Sequence, residues 1–254
     1  MGVFQDNQDA FGHMLYDYYT GNSDSRIPGI LERYDGFVTD AGSVTVYFNE
    51  YKKWPLIERK AIRLARGRVL DVGCGAGRHC LHLQEKGLTV TGIDNSPLTI
   101  EVCRQRGLTN AVVLPLNEIT PDLGIFDTVL MLGHNFGLFG SFLGARRILK
   151  KLDRITSRKA RIIVTSNDVY QSSEEPEHLN YLEYNRKHGR MSGQLRVKVR
   201  YKKYATPWFD YLIVSKDEME SILDGTGWRV TKYIDAGDSH YAAIIEKHKS
   251  GRKK

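Results

Sequence analysis

The sequence has few cysteines and no long apolar run. Its three cysteines, Cys74, Cys80 and Cys103, have the spacing of neither a disulfide framework nor a zinc site, so we expect reduced thiols and no bound metal. No apolar stretch approaches the roughly 18 residues that cross a bilayer, and the first residues lack the basic and apolar regions of a signal peptide. Asp6 stands where a myristoylation signal requires Ser or Thr. These absences predict a cytoplasmic protein without membrane association.

Acidic residues are outnumbered by basic ones, and the formal net charge is +7. The excess lies in two stretches: 194–204, which carries five bases and no acid, and the tail from Lys247. A basic surface suits a polyanionic partner such as nucleic acid. Within 194–204, however, the bases alternate with apolar residues from Leu195 to Tyr201, as in a half-buried strand whose other face is solvated. We favour the strand, with a nucleic-acid site as the alternative.

From Gly67 onward, short apolar runs alternate with amphipathic stretches. This rhythm predicts an α/β domain with a doubly wound, mostly parallel sheet covered by helices. The predicted strands are 68–72, 89–94, 111–116, 126–132, 161–166, 228–234 and 241–246. The predicted helices are 77–86, one that begins at Ser96-Pro97, 141–155, and one opened by the capping box at 215–218.

Segments outside this alternation are expected to elaborate the main domain. Residues 1–60 form an extension, with a helix from Asp9 to Tyr19 and a hairpin around 40–43, and they are a candidate active-site cap. The main domain spans 61–248 and contains an insertion, 169–206, which is too long for an ordinary connection. Insertions at the open end of such a sheet often shape substrate pockets. Residues 249–254 form a basic, solubilising tail.

A glycine-rich turn joins the first predicted strand to the first helix, in Asp71-Val72-Gly73-Cys74-Gly75-Ala76-Gly77. Without a Cβ, Gly73 and Gly75 let a ligand lie against the main chain, and Gly77 permits close packing of helix and strand. The spacing is G-x-G-x-G and not the dinucleotide pattern G-x-G-x-x-G. Asp71 would repel a pyrophosphate but would attract an ammonium group. The loop therefore predicts a zwitterionic ligand.

Asp94 ends the second predicted strand, 21 residues after Gly73. In nucleoside-binding sheets an acid at this place accepts hydrogen bonds from both ribose hydroxyls. The loop and Asp94 together predict a nucleoside site at the carboxyl edge of the sheet.

Val69 to Gly77 and Gly92-Ile93-Asp94 resemble the class I (Rossmann-like) S-adenosylmethionine-dependent methyltransferases, and the resemblance covers roughly residues 67–247. It implies a seven-stranded sheet of order 3-2-1-4-5-7-6 with strand 7 antiparallel, and S-adenosylmethionine as cofactor. The residues that the resemblance assigns to this cofactor are Asp71, Gly73, Cys74, Gly75, Gly77, Asp94, Asn95, Asn117 and Leu132. Asp71 and the loop backbone would hold the methionine end, Asp94 the ribose, and Asn95 would adjoin the adenine. Asn117 stands where many members carry an aspartate, and an amide can still contact the adenine edge.

The segment after the fourth predicted strand, 133–140, is where such enzymes face the sulfonium and the substrate. It has neither the Asn/Asp-Pro-Pro-Tyr/Phe motif of nucleic-acid amino methylation nor the Pro-Cys nucleophile of cytosine C5 methylation. His134 is a candidate general base for a hydroxyl or thiol acceptor, or it positions the cofactor. Asn135 lies on the substrate side or only shapes the turn. Asp168 is a second candidate base, with capping of the next segment as its alternative.

Tyr47 and Tyr51 precede the core in an aromatic segment. Either ring is a candidate for a cation–π contact with the sulfonium, and simple packing is the alternative.

The resemblance leaves three hypotheses for the function. The first is a methyltransferase with a small-molecule acceptor, favoured by the lack of an appended recognition domain and by an insertion of modest size. The second is an RNA- or protein-modifying methyltransferase guided by 194–204. The third is a protein that binds S-adenosylmethionine without catalysis.

Overall fold

The computed structural model describes residues 1–22, 29–171 and 175–248, and the strands in these ranges form two sheets. The strands are β1 (Ile30–Arg33), β2 (Val38–Asp40), β3 (Val69–Val72), β4 (Val90–Asp94), β5 (Ala111–Val113), β6 (Phe126–Met131), β7 (Thr156–Asn167), β8 (Gln194–Tyr201), β9 (Tyr204–Ala205), β10 (Phe209–Leu212), β11 (Trp228–Asp235) and β12 (His240–Lys247). The α-helices are α1 (Ala10–Thr20), α2 (Leu56–Ile62), α3 (Arg78–Glu85), α4 (Pro97–Gln105), α5 (Phe142–Arg154), α6 (Pro176–Lys187) and α7 (Lys216–Leu223).

The larger sheet has seven strands in the order β5-β4-β3-β6-β7-β12-β11. Numbered along the chain, this order is 3-2-1-4-5-7-6. β4 pairs with β5 and β6 with β7 in parallel, whereas β12 runs antiparallel to both β7 and β11. The predicted fold class, strand order and antiparallel seventh strand are confirmed.

Burial explains which strands the apolar pattern locates well. All four residues of β3 are buried, as expected for a strand covered on both faces. β7 begins five residues earlier than predicted because its first half carries exposed Arg158 and Lys159 and offers no apolar run. β5 ends at Val113, earlier than predicted, and Pro115, which has no backbone N–H, follows shortly after.

The smaller sheet has the order β10-β8-β1-β2, with β9 paired to β8. It joins a strand of the N-terminal extension to one of the insertion, with Leu31 opposite Val199. β1 and β2 form the predicted N-terminal hairpin, but its turn lies at 34–37 and not at 40–43. Gly36, at φ +93°, makes this turn, while the expected turn residues follow β2, where Gly42 N–H donates to Asp40 Oδ1.

By its internal contacts the chain divides into two units. The first comprises Met1–Trp54, Leu70–Ile119 and Leu195–Asp210. Its helix α1 packs against α4 and β9. The buried residues that form its core cluster are Ala10, Met14, Leu15, Val44, Ala76, Val102, Val199 and Tyr201. The extension thus contributes a core helix to the unit that holds the glycine loop.

The second unit comprises Pro55–Val69, Thr120–Gln194 and Tyr211–Lys254. Within it, α2 packs against β7, β11 and β12, and α5 packs against β7 and α7. The predicted capping box of α7 is present, with Ser215 and Glu218 bonded reciprocally. Helix α6 was not predicted, because only Tyr181 and Asn185 of it are buried and its pattern is mostly polar.

None of the described helices has the length and apolar character that a bilayer crossing requires. The predicted basic tail, 249–254, lies outside the described residues.

Candidate functional site

The glycine loop leaves β3 in a conformation that only glycine adopts freely. Gly73 and Cys74 N–H both donate to the Ile93 carbonyl, at 2.9 and 3.1 Å, which ties the loop to β4. Gly75 has φ +53°, and a Cβ at this position would lie 3.3 Å from Cδ1 of Tyr47. The Tyr47 ring therefore lies directly over the Gly75 backbone.

Asp94 lies beside this backbone, at the end of β4. Its Oδ2 accepts from Gly75 N–H at 3.2 Å, and its Oδ1 accepts from Ser96 N–H at 3.1 Å. Burial raises the pKa of Asp94 to about 6, and the charge of Asp9 adds to the increase, against the lowering effect of the backbone hydrogen bonds. The loop and the carboxylate lie side by side and form one cradle. That this cradle binds a ribose stays a prediction.

Asp71 and the three cysteines lie behind the loop. Asp71 is buried, and Cys80 Sγ donates to its Oδ2 at 3.0 Å. Cys74 Sγ lies 3.9 Å from Cys103 Sγ, and Cys103 Sγ donates to the Gly75 carbonyl at 3.0 Å. Cys74 therefore presents only its backbone on the loop side. All three thiols are free and buried, and burial raises the pKa of Cys80, so it stays a neutral donor. Among the described residues, no group of three or more metal-ligating side chains occurs.

The first residues of the chain cover Asn95, which sequence reasoning did not anticipate. Phe4 N–H donates to the Asn95 carbonyl at 3.0 Å, and Asn95 Nδ2 donates to the Gly2 carbonyl at 3.2 Å. The predicted adenine neighbour thus lies under the N-terminal segment.

Asp9 holds this segment in place. Its Oδ1 accepts from Gly12 N–H at 3.0 Å, which caps α1, and its Oδ2 accepts from Ser96 Oγ at 2.8 Å and from Leu98 N–H at 3.3 Å. Ser96 in turn caps α4. The sequence signals the Ser96 cap but not its pairing with Asp9, because 87 positions separate the two residues.

The two candidate tyrosines have different surroundings. Tyr47 contacts Gly75 and packs edge-on against Phe11, with ring centroids 5.0 Å apart. Tyr51 stacks on His82 of α3 at 4.4 Å. The structure therefore brings Tyr47, and not Tyr51, to the loop. Asn117 is exposed in the turn that follows β5.

In the second unit, His134 follows β6 and the buried Leu132. It has φ +63°, its N–H donates to Thr165 Oγ1 at 2.8 Å, and its carbonyl accepts from Tyr211 Oη at 2.7 Å. Burial lowers the pKa of its imidazole, and the nearby His240 lowers it further. Asn135 begins the short 3-10 helix Asn135–Phe139 next to it. The imidazole is therefore neutral at neutral pH, as a proton acceptor must be.

Asp168 has the contacts of a cap. Its carboxylate accepts from Tyr170 N–H and from Gln171 Nε2, both at 3.0 Å. Its own N–H donates to the Ser239 carbonyl at 2.8 Å. These bonds favour the capping alternative over a general base.

His240 and Asp238 lie near His134, at the carboxyl end of β7, and neither was a candidate from the sequence. Asp238 Oδ1 accepts from the backbone N–H and from Nδ1 of His240, at 2.8 and 3.0 Å. The rings of His240 and His134 are 5.2 Å apart. The Asp-Ser-His spacing at the start of the last strand was the available signal.

The basic residues of β8 and the turn after it are paired with acids of the same unit. Lys198 and Arg200 both contact Glu32, at 3.2 and 2.6 Å. The other two pairs are Arg196 with Asp210 at 3.4 Å and Lys202 with Asp17 at 2.6 Å. Four of the five bases in 194–204 are thereby partly neutralised.

Comparisons with known proteins find similarity to methyltransferases. Residues 69–158 match the family model described as a methyltransferase domain. A tRNA U34 carboxymethyltransferase of Shewanella denitrificans is 40% identical over 88 residues, which are 32% of this chain and 27% of the relative. A 2-heptyl-1-hydroxyquinolin-4(1H)-one methyltransferase of Mycobacteroides abscessus is 37% identical over 70 residues, which are 25% of this chain and 31% of the relative. The chain thus spans less than a third of the length of each of these two relatives.

One solved structure is similar over nearly the whole chain. It is a SAM-dependent methyltransferase from Bacteroides fragilis in complex with S-adenosyl-L-homocysteine, with a TM-score of 0.82 at 25% identity. The superposition covers 97% of this chain and 98% of that one.

Proposed function

We propose that this chain, which belongs to the class I S-adenosylmethionine-dependent methyltransferases, transfers a methyl group from that cofactor to a small molecule. The observation that carries the proposal is the cradle of Gly75 and Asp94. The Gly75 backbone lacks a Cβ and lies under the Tyr47 ring, and a hydrogen-bonded carboxylate lies directly beside it. This combination suits a nucleoside that carries a zwitterionic side chain and no pyrophosphate.

Different residues of the first unit bind different parts of the cofactor. Asp94 accepts hydrogen bonds from the ribose hydroxyls, and the Gly73–Gly75 backbone, with Asp71 behind it, binds the methionine end. Asn95 and Asn117 adjoin the adenine, and the ring of Tyr47 covers the loop, where it offers a π face to the sulfonium. When bound, S-adenosylmethionine supplies a methyl group on a cationic sulfur, for in-line transfer to an aligned acceptor.

A small acceptor fits the charge distribution better than RNA does. The β8 bases that would guide a polyanion pair with Glu32, Asp210 and Asp17. One relative acts on tRNA by name and the other on a hydroxyquinolinone, and each matches this chain over at most 88 residues. The relatives therefore leave the acceptor class open, and the paired bases favour the small molecule.

Calorimetry and a transfer assay test the proposal in sequence. The full chain should bind S-adenosylmethionine and S-adenosylhomocysteine and should not bind NAD. Methyl-labelled cofactor is then incubated with the protein and a cell extract separated into small-molecule, protein and RNA fractions. We expect label in the small-molecule fraction. Label in RNA or protein would replace the proposed acceptor class, and binding without transfer in any fraction would indicate a non-catalytic protein.

A further inference from the structure

Several buried polar atoms of the second unit have no hydrogen-bond partner among the described residues. Two of them, Nδ1 of His134 and Oδ1 of Asn167, lie at the carboxyl end of β7. Such atoms are rare in folded proteins because each loses its bonds to water without compensation. Their occurrence indicates a place where a bound molecule completes the hydrogen bonding.

The chain brings both atoms to the carboxyl end of β7. His134 N–H is bonded to Thr165 Oγ1, and Asn167 is two residues further along the same strand. Side chains two residues apart on a strand point to the same face. Asn167 also pairs with His240 in the register of β7 and β12, and the ring of His240 is 5.2 Å from that of His134. The imidazole and the amide therefore share one small region.

The backbone of His134 has a left-handed conformation, which residues other than glycine rarely adopt. At φ +63° a residue other than glycine is strained, and such strain persists where the surroundings enforce it, often at functional sites. Here the bonds to Thr165 and Tyr211 enforce it. The Tyr211 ring also fills the space beside Gly137, where a Cβ would lie only 2.3 Å from it. The imidazole is thus presented by a fixed main chain.

His240 forms the open side of this region. Its side chain is 43% exposed, and the hydrogen bond between its Nδ1 and Asp238 Oδ1 orients its ring. The low pKa of the buried His134 keeps its ring neutral, so that in the tautomer protonated at Nε2 the Nδ1 lone pair is a free acceptor.

We propose that this region, the His134–Asn167 pocket, binds the methyl acceptor through a hydroxyl that donates to His134 Nδ1 and a second polar hydrogen that donates to Asn167 Oδ1. The inference rests on the proposed function and narrows its substrate class. The acceptor is a small molecule in which the methylated hydroxyl has a second hydroxyl or an N–H group beside it. Two acceptors without a donor between them select such a ligand, since a molecule without these hydrogens would leave both atoms unpaired.

The pocket also assigns the proton in the transfer step. With S-adenosylmethionine bound, the acceptor oxygen would form a bond to the methyl carbon while the C–S bond would break with its electron pair left on sulfur. The hydroxyl proton passes to Nδ1 of His134, so that one positive charge moves from the sulfonium to the imidazolium. The proton then reaches solvent past His240, whose side chain is partly exposed.

The test observes ligand binding and does not depend on turnover. The full chain, saturated with S-adenosylhomocysteine and labelled at the histidine Cε1 atoms, is titrated in NMR with 1,2-dihydroxybenzene, its monomethyl ether and its dimethyl ether. These probes share one ring and offer two, one and no hydroxyl donors. We expect saturable shifts of His134 and His240 with the dihydroxy probe, and affinity about tenfold or more above that of the dimethyl ether, since each hydrogen bond adds several-fold.

Variants separate the two acceptor atoms. His134→Asn removes the imidazole but suits the left-handed backbone, and Asn167→Leu removes the amide oxygen whereas Asn167→Asp keeps an acceptor. The control is His188→Gln, an exposed histidine on the surface beyond α6. With His240 as the reporter, affinity for the dihydroxy probe should fall about tenfold in His134→Asn and Asn167→Leu, recover in Asn167→Asp, and stay unchanged in the control.

The outcomes of the test are separable from failure of the proposed function. Equal affinity for all three probes, or full affinity in His134→Asn, would overturn the pocket and assign the two atoms to ordinary bound water. Absence of S-adenosylhomocysteine binding to the unmodified chain would contradict the proposed function itself. Each variant should bind S-adenosylhomocysteine as the unmodified chain does.

Discussion

Asp94 shows how a single carboxyl group links burial to ligand affinity. Burial raises its pKa to about 6, and the neighbouring carboxylate of Asp9 adds to the effect, while the N–H groups of Ser96, Gly75 and Asn95 oppose it. Ribose hydroxyls donate to the ionised carboxylate, so cofactor binding favours the deprotonated form. The affinity must therefore fall as the pH drops below the pKa of the free protein.

We expect S-adenosylhomocysteine to bind about tenfold more weakly at pH 5 than at pH 8, since about one carboxyl in ten is ionised one unit below its pKa. Calorimetry across this range measures the change. In Asp94→Asn the affinity should be lower throughout, and this part of the pH dependence should vanish. A pH dependence that survives in Asp94→Asn would mean that another group titrates.

Gly75→Ala tests the open backbone of the loop. Gly75 and Gly87 both have positive φ, but a Cβ at 75 meets the Tyr47 ring at 3.3 Å, whereas none of the described atoms comes within 4 Å of a Cβ at 87. Both alanine variants should lose about 1–2 kcal/mol of stability in urea unfolding, from the backbone conformation. Only Gly75→Ala should also weaken S-adenosylhomocysteine binding, by about tenfold or more, because the methyl group would displace the Tyr47 ring from the cradle. Equal affinities would show that the ligand lies elsewhere.

At the scale of elements, the bond between Asp9 and Ser96 joins the beginnings of α1 and α4. Asp9→Ala removes the cap of α1 and leaves a buried serine hydroxyl without its acceptor. We expect a loss of about 2–4 kcal/mol in the free energy of unfolding, from about 1 kcal/mol for the cap and 1–3 kcal/mol for the hydroxyl. Urea unfolding monitored by circular dichroism measures it.

Asp6→Ala is the matched control. Asp6 is exposed and pairs with His13 at 3.0 Å, and an exposed pair contributes at most about 1 kcal/mol. Similar losses in the two variants would refute the role assigned to Asp9.

Features that depend on residues close together in the sequence were predictable from it. The strand and helix order follows from apolar periodicity, and the loop and Asp94 follow from their places at strand ends. The strand order of the larger sheet came from the family resemblance, but pairings between distant segments outside that resemblance were not predictable. Nothing near Leu31 indicates that it faces Val199 in the smaller sheet, and nothing near His134 indicates Asn167 or His240. Periodicity reports which face of an element is buried, but not which element covers it.

At the scale of the whole molecule, the net charge of +7 overstates the basic surface. In the first unit, Glu32 alone contacts two of the β8 bases. Residues 249–254, which contribute four further bases, lie outside the described part of the chain. A polyanion would therefore meet fewer free cations on β8 than the composition suggests. Because the salt dependence of RNA affinity reflects the number of phosphates neutralised, we expect the affinity to change little with salt.

The salt dependence of RNA binding shows whether RNA is bound by β8 or by the tail, residues 249–254. We expect the full chain to bind a single-stranded RNA weakly, with a dissociation constant of roughly 10⁻⁴–10⁻⁶ M at physiological salt, as for non-specific binding. A variant that ends at residue 248 should bind it more weakly still. Glu32→Gln frees Lys198 and Arg200, so it should strengthen binding and steepen the slope of log affinity against log salt by about 1–2. If the unmodified chain instead bound tRNA with a steep slope that persisted in the shortened variant, β8 would be an RNA guide, and the acceptor would have to be sought in RNA.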